Sequence, residues 1–171
     1  MSGPWASTAG DAASCSALAA RMLSAARDLA REEEQLGEVA TGVLSGWEGP
    51  AADAFDGAVC QDAHALRRLA DGYAEAGRAL QAFAEQLAQM QSRMAAVVRA
   101  AEVEGLHVER DGSVTMPPGP YPTLRFERLV ELRTSVTAEV EGLESDARLA
   151  HRTLVRTLDG VRELAHAAVG R

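Results

Sequence analysis

A heptad pattern in the middle of the chain constrains the fold more than any other feature. Steps of four and three residues, starting at Phe55, reach fourteen positions, and only Asp62 among them is charged. A 3.5-residue repeat held over this length is typical of a long helix that supercoils with partner helices. Since no proline lies between Pro50 and Pro117, this second helix is free to extend about 80 Å. We call the following positions the heptad stripe: Phe55, Val59, Asp62, Leu66, Leu69, Tyr73, Ala76, Leu80, Phe83, Leu87, Met90, Met94, Val97 and Ala101.

Helical periodicity also predicts a helix on each side of this one. The first runs from about Asp11 to Ser45, and Glu32 interrupts its apolar positions. Those positions are Leu18, Met22, Ala25, Leu29, Leu36, Val39 and Val43. The third helix runs from Thr123, its predicted N-cap, to about Val169. Its apolar positions are Leu129, Leu132, Val136, Val140, Leu143, Ala147, Ala150, Leu154, Leu158, Val161 and Ala165.

The segment between the second and third helices has a different character. Asp111-Gly112 is flanked by β-branched residues, which is the usual signal for a two-residue β-hairpin. Because an isolated hairpin is marginal in water, we expect it to cover the end of the helices. Four prolines between 117 and 122 then end any strand.

The predicted fold is therefore all-α, an antiparallel three-helix bundle with a small β-hairpin before the third helix. We divide the chain into a flexible tail (1–10), a helical hairpin (11–104), a β-hairpin and proline-rich connector (105–122) and the third helix of the same domain (123–169). In this arrangement Asp62 is an unpaired charge in the stripe, which is costly. We expect Arg162 to pair with it and to fix the register.

Composition excludes several classes of function. The net charge is −8, and no basic stripe is present of the kind that nucleic-acid binding requires. No segment approaches the roughly 18 apolar residues that a membrane span needs. The first ten residues lack the basic and apolar regions of a classical signal peptide, which leaves cytoplasmic residence or export by another route.

No residue set indicates catalysis, a metal or a cofactor. Cys60 and His64 have the spacing of a nucleophile and its base, but both lie away from the heptad stripe, where no third group would orient them. Cys15 and Cys60 lie too far apart in a straight hairpin to form a disulfide. The remaining histidines lack metal-ligand spacing. We therefore expect a protein that is not an enzyme.

The most informative motif lies at the corner between the first two helices. Trp47-Glu48-Gly49 precedes Pro50, and Ala52 and Phe55 follow on the second helix. This pattern resembles the WXG, or ESAT-like, superfamily of small helical hairpins that type VII systems of actinobacteria and related bacteria export. The resemblance covers about residues 11–103, and the third helix looks like an extended actinobacterial form.

The resemblance implies a binding role. Members pair as homodimers or heterodimers and are recognised by the type VII secretion motor, so Trp47, Gly49, Ala52 and Phe55 would form an export signal. Packing of Trp47 into the corner remains a compatible alternative. The larger stripe residues would be core or partner-facing, namely Leu66, Leu69, Tyr73, Leu80, Phe83, Leu87, Met90 and Met94.

One part of the family pattern is absent. Its second export signal is a tyrosine followed four residues later by an acid, whereas Tyr73 and Tyr121 are followed by Gly77 and Arg125. Two functions therefore stay open. One is a substrate, or N-terminal targeting domain, secreted by this non-Sec route. The other is a cytoplasmic helical adaptor or export chaperone for a type VII effector.

Overall fold

The computed structural model describes residues 10–109 and 112–169 and confirms the predicted fold class. In this part of the chain, three α-helices and two short strands follow in the order α1 (Ala12–Leu44), α2 (Pro50–Val103), β1 (His107–Val108), β2 (Val114–Thr115) and α3 (Thr123–Val169). The protein is an all-α three-helix bundle with a two-stranded sheet.

Local sequence explains where α1 and α2 begin. The backbone N–H of Ala13 donates to Asp11 Oδ1 at 3.0 Å, so Asp11 caps a backbone donor that the helix leaves unpaired. At the start of α2, the carbonyl of Gly49 accepts from the N–H groups of Ala52 and Asp53 at 2.9 and 3.1 Å. Pro50 then occupies the first helical position, where its missing N–H costs nothing.

The start of α3 differs slightly from the prediction. The carbonyl of Pro122 accepts from the N–H groups of Arg125 and Phe126, both at 3.0 Å. These are the first hydrogen bonds of the helix, so Pro122 holds the cap position and Thr123 is the first helical residue. The predicted N-cap at Thr123 is therefore wrong by one residue.

The β-hairpin forms, with a longer connection than the two-residue turn we expected. His107 pairs with Thr115 and Val108 with Val114. The N–H of Glu109 donates to the carbonyl of Ser113 at 2.9 Å, so three residues lie between the last bonded pair. Gly112 has a φ of +81°, which a residue without Cβ adopts at little cost. The turn prediction located the hairpin and missed its length.

One compact unit comprises, among the described residues, Gly10–Ala13 together with Phe83–Thr153. Within it, the end of α2 and the first part of α3 run antiparallel, since Glu104 contacts Arg128 and Phe83 contacts His151. Their apolar faces form one core with the β-hairpin, as predicted for its covering role. This core contains Met90, Met94, Val97, Ala101, Leu106, Val114, Leu129, Val136, Val140, Leu143 and Ala147.

A second compact unit comprises Ser14–Ala82 and the end of α3 from Leu154. Here α1 and α2 run antiparallel, because Gly77 lies beside Ala19 and Leu23 whereas Arg67 pairs with Glu33. Its buried apolar side chains are mostly alanines, and such small residues let helices approach closely. Among the described residues they are Ala19, Ala26, Ala40, Ala52, Ala70, Ala76 and Leu80.

The buried face of α1 differs from the predicted one. Leu18, Val39 and Val43 are 50%, 62% and 47% exposed. The buried positions are instead Ala19, Ala26 and Ala40. The reason is that α2 packs on the alanine side, where the backbones can come closest. The larger apolar residues of α1 are left at the edge of the contact.

Candidate protein-binding site

The corner between α1 and α2 brings together the four residues of the Trp47 motif. Gly46 and Gly49 have φ values of +87° and +107°, which residues with a Cβ adopt only with strain. These two positions reverse the chain between the helices. The backbone N–H of Trp47 donates to the carbonyl of Leu44 at 3.1 Å, which holds the Trp47 backbone at the end of α1.

The side chains of this motif divide into a buried part and an open part. Ala52 is buried, so the first turn of α2 packs through a small residue. The rings of Trp47 and Phe55 lie 5.7 Å apart between centroids, with an interplanar angle of 46°. Even so, 41% of Trp47 remains exposed. The indole thus packs on the corner and still offers apolar area to a partner.

The larger stripe residues follow the same division along α2. Leu80, Leu87, Met90 and Met94 are buried inside the chain, so packing accounts for them. Leu66, Leu69 and Phe83 are half-buried, and Tyr73 is exposed. The fully buried positions of the stripe therefore all lie from Ala76 onward, and none lies nearer the Trp47 corner.

The predicted contact between Asp62 and Arg162 is wrong. Asp62 is exposed, and Arg162 Nη2 lies 3.3 Å from Asp159 Oδ1 on its own helix. Val161 lies beside Gly72 of α2. In an antiparallel pair this places Arg162 nearer Asp71 than Asp62, which explains the failure. No compensating partner is needed because the Asp62 carboxylate remains in water.

The environment of Tyr121 also differs from an export signal of the tyrosine type. Its hydroxyl donates to the carbonyl oxygen of Pro117. The guanidinium of Arg125 lies 5.8 Å from the centre of the Tyr121 ring, where the family pattern requires an acid. Arg125 and Tyr121 thus form a cation–π contact next to the proline-rich connector.

Cys60 and His64 are both exposed, and the thiols of Cys15 and Cys60 are free. In residues 10–109 and 112–169, no group of three or more His, Cys, Asp and Glu side chains is placed to hold a metal ion. Within the same ranges, no helix carries an apolar segment long enough to cross a membrane.

One groove was not anticipated from the sequence. It lies between α1 and α2, has a volume of about 550 Å³ and is open to solvent. Four of its eight lining residues are alanines and three are charged. The lining residues are Leu23, Ala26, Arg27, Ala30, Ala70, Asp71, Ala74 and Arg78. Alanines give no strong periodic signal, so the pattern did not reveal it.

Comparison with known proteins gives no match: no protein-family model, curated protein or solved structure matches the chain.

Proposed function

We propose that this protein is a non-enzymatic substrate, or secretion-targeting domain, of a type VII system, and that it acts by helical association with a protein partner. It would belong to the WXG superfamily of actinobacteria and leave the cell by this non-Sec route. The observation that carries the proposal is the corner at Trp47, where a large aromatic side chain is partly exposed beside Phe55.

The chemistry of this corner suits recognition by another protein. An amphipathic aromatic ring supplies much binding energy when a partner's pocket encloses it. Pro50 fixes its own φ close to Trp47, and this restriction of the backbone lowers the conformational entropy lost on binding. A secretion motor, or a partner that is itself a helical hairpin, would recognise such a corner by its shape and its apolar area.

The second candidate is a cytoplasmic adaptor or export chaperone for a type VII effector. The specific observation that favours it is Arg125, which lies over the ring of Tyr121 at the position where the export signal needs an acid. A chain without that signal would depend on a partner for recognition, or would remain inside the cell.

Export separates the two candidates. The tagged protein is produced in its own host, and culture filtrates are compared between strains with and without the motor ATPase. The substrate proposal expects the protein in the filtrate only when the motor is active, with a cytoplasmic marker retained in both strains. Retention of the protein in both strains would contradict export and leave the adaptor function.

A further inference from the structure

The acidic residues are distributed very unevenly along the chain. We call residues 32–66 the hairpin tip; they contain eight acidic residues and no lysine or arginine. Since the whole chain has 25 acidic and 17 basic residues, 17 of each sign remain outside this segment. The formal net charge of −8 is therefore that of the hairpin tip alone.

The same segment leaves large apolar side chains open. Val39, Val43 and Trp47 are exposed, and Phe55 and Leu66 are only half-buried. Ala40 and Ala52 are the two buried side chains among residues 32–66, all of which the structure describes. Several large apolar side chains left open close together at the edge of a two-helix contact are typical of a surface that another protein covers.

The open residues of the two helices lie on one side of the hairpin. Val43 follows buried Ala40 by three residues, and Phe55 follows buried Ala52 by three residues. Each is therefore turned by about 60° from its helix contact in the same sense. Because α1 and α2 run antiparallel, equal rotations bring both side chains to the same side. The hairpin tip thus has one continuous apolar face.

Two of the acids lie within this apolar face. Asp62 follows Phe55 by one heptad, and Glu32 precedes Val39 by one heptad, so each carboxylate interrupts an apolar stripe. Both are exposed and neither has an ion-pair partner among the described residues. In contrast, Glu33 pairs with Arg67 inside the hairpin. Glu32 and Asp62 are therefore free to meet cations from outside.

We infer that the hairpin tip binds a basic amphipathic helix of a different protein, with the apolar side of that helix on Val39, Val43 and Phe55 and its cations on Glu32 and Asp62. Farther along α2, α3 already packs beside this face, where Val161 lies 3.3 Å from the Cβ position of Gly72. The side of the α1–α2 pair that carries this apolar face thus accepts a helix. The inference rests on the proposed function in taking this hairpin as protein-binding.

Charge decides between this occupant and a second copy of the chain. Two copies joined through this face would bring together two hairpin tips of eight acids each. Packed helices lie about 8–10 Å apart, which is close to the screening length of roughly 8 Å at physiological salt, so charges across the contact are only partly screened. A self-pair at this site is therefore opposed by repulsion, whereas a basic helix is attracted.

The test uses three synthetic peptides: a Leu/Lys amphipathic helix, a Leu/Glu helix with the same apolar face, and a scrambled Leu/Lys sequence. Trp5→Phe leaves Trp47 as the reporter at the hairpin tip, since the chain has two tryptophans. Binding is measured from Trp47 emission and from the anisotropy of labelled peptide at physiological ionic strength. We expect the Leu/Lys helix to bind at least tenfold more tightly than either other peptide.

Paired variants locate the site. Glu32→Arg with Asp62→Arg should weaken the Leu/Lys helix at least tenfold, because both cation contacts are reversed. Glu127→Arg with Glu139→Arg makes the same charge change on exposed positions of α3 and should leave affinity within about twofold. Circular dichroism checks that each variant is folded.

Three outcomes would overturn the inference. The first is equal binding of the scrambled and helical Leu/Lys peptides, and the second is equal weakening by both pairs of variants. The third is a dimer of the protein alone that Val39→Gln with Val43→Gln disrupts, since a second copy would then cover the face. An exported protein with unselective peptide binding contradicts this inference alone, and a retained protein with selective binding contradicts only export.

Discussion

Replacing Gly77 by alanine tests how closely α1 and α2 pack. The added Cβ would lie 2.8 Å from Leu23 Cγ and 3.2 Å from the carbonyl oxygen of Ala19. The Leu23 side chain can rotate, but the carbonyl belongs to the backbone of α1, so the two helices must separate locally. Overpacking of this kind costs about 1–3 kcal/mol.

A gain in helix propensity opposes that cost. Alanine is more favourable than glycine inside a helix by about 1 kcal/mol. For Gly77→Ala we therefore expect a net loss of unfolding free energy of up to about 2 kcal/mol, toward the upper end because the contact involves backbone as well as side chain. The measurement is urea unfolding followed by circular dichroism at 222 nm, a standard helix wavelength.

Gly57→Ala is the matched control, since Gly57 is also in α2 but has nothing within 4 Å of its Cβ position. There only the propensity acts, so we expect a gain of about 0.5–1 kcal/mol. The difference between the two variants isolates the packing cost. Equal stability of Gly77→Ala and Gly57→Ala would refute the close approach of α1 to α2.

Three further predictions concern other parts of the structure. Leu143→Ala removes a side chain that is 1% exposed in the core of α2, α3 and the β-hairpin, so unfolding free energy should fall by about 2–5 kcal/mol in urea; a loss below that of an exposed leucine such as Leu149 would contradict this core. Gly112→Ala places a Cβ at a φ of +81°, so the unfolding free energy should fall by about 1–2 kcal/mol and the melting temperature should fall with it. Gly119→Ala should change the melting temperature little. Arg67→Ala removes an ion pair with Glu33 in which the arginine side chain is 65% exposed and the glutamate side chain 19% exposed. Because water screens the arginine end, the loss should be about 1 kcal/mol or less; a larger loss, insensitive to salt, would mean that the pair is effectively buried.

The fold could be predicted because its signals are long and redundant. The heptad stripe of α2 extends over fourteen positions, and a pattern of that length has no competing interpretation as strand. Gly49 and Pro50 mark the corner through backbone constraints that act locally. Asp111-Gly112 marks the hairpin for the same reason. Such features depend on neighbouring residues and can be read without tertiary contacts.

The predictions that were wrong depend on which faces of the helices pack together and in which register. On α1 two adjacent faces are apolar, one of Leu and Val and one of Ala, and only the contact with α2 decides between them. The alanine face is buried because its small side chains permit the closer approach. The pairing of Asp62 with Arg162 failed through register, since a shift of two or three helical turns leaves the periodicity unchanged. Sequence pattern alone does not determine such offsets.

The candidate site was predicted only in part. Trp47, Gly49, Ala52 and Phe55 could be identified from their order along the chain, and the structure brings Trp47 and Phe55 into contact. The exposure of Val39 and Val43 was not predicted, because both fall in the apolar pattern expected to be core. Exposed apolar residues on an amphipathic helix become visible only once the contact face is known.

The most direct test of the binding role is the effect of Trp47→Ala on export in the host with an active secretion motor. Leu124→Ala is the control, because Leu124 is an exposed large apolar residue of α3 that lies outside the hairpin tip. Total amounts in cells and filtrate together, and thermal melting of the purified proteins, should match for both variants. We predict that Trp47→Ala is retained in the cell while Leu124→Ala appears in the filtrate at the wild-type level. Export of Trp47→Ala at the wild-type level would contradict the role of this corner.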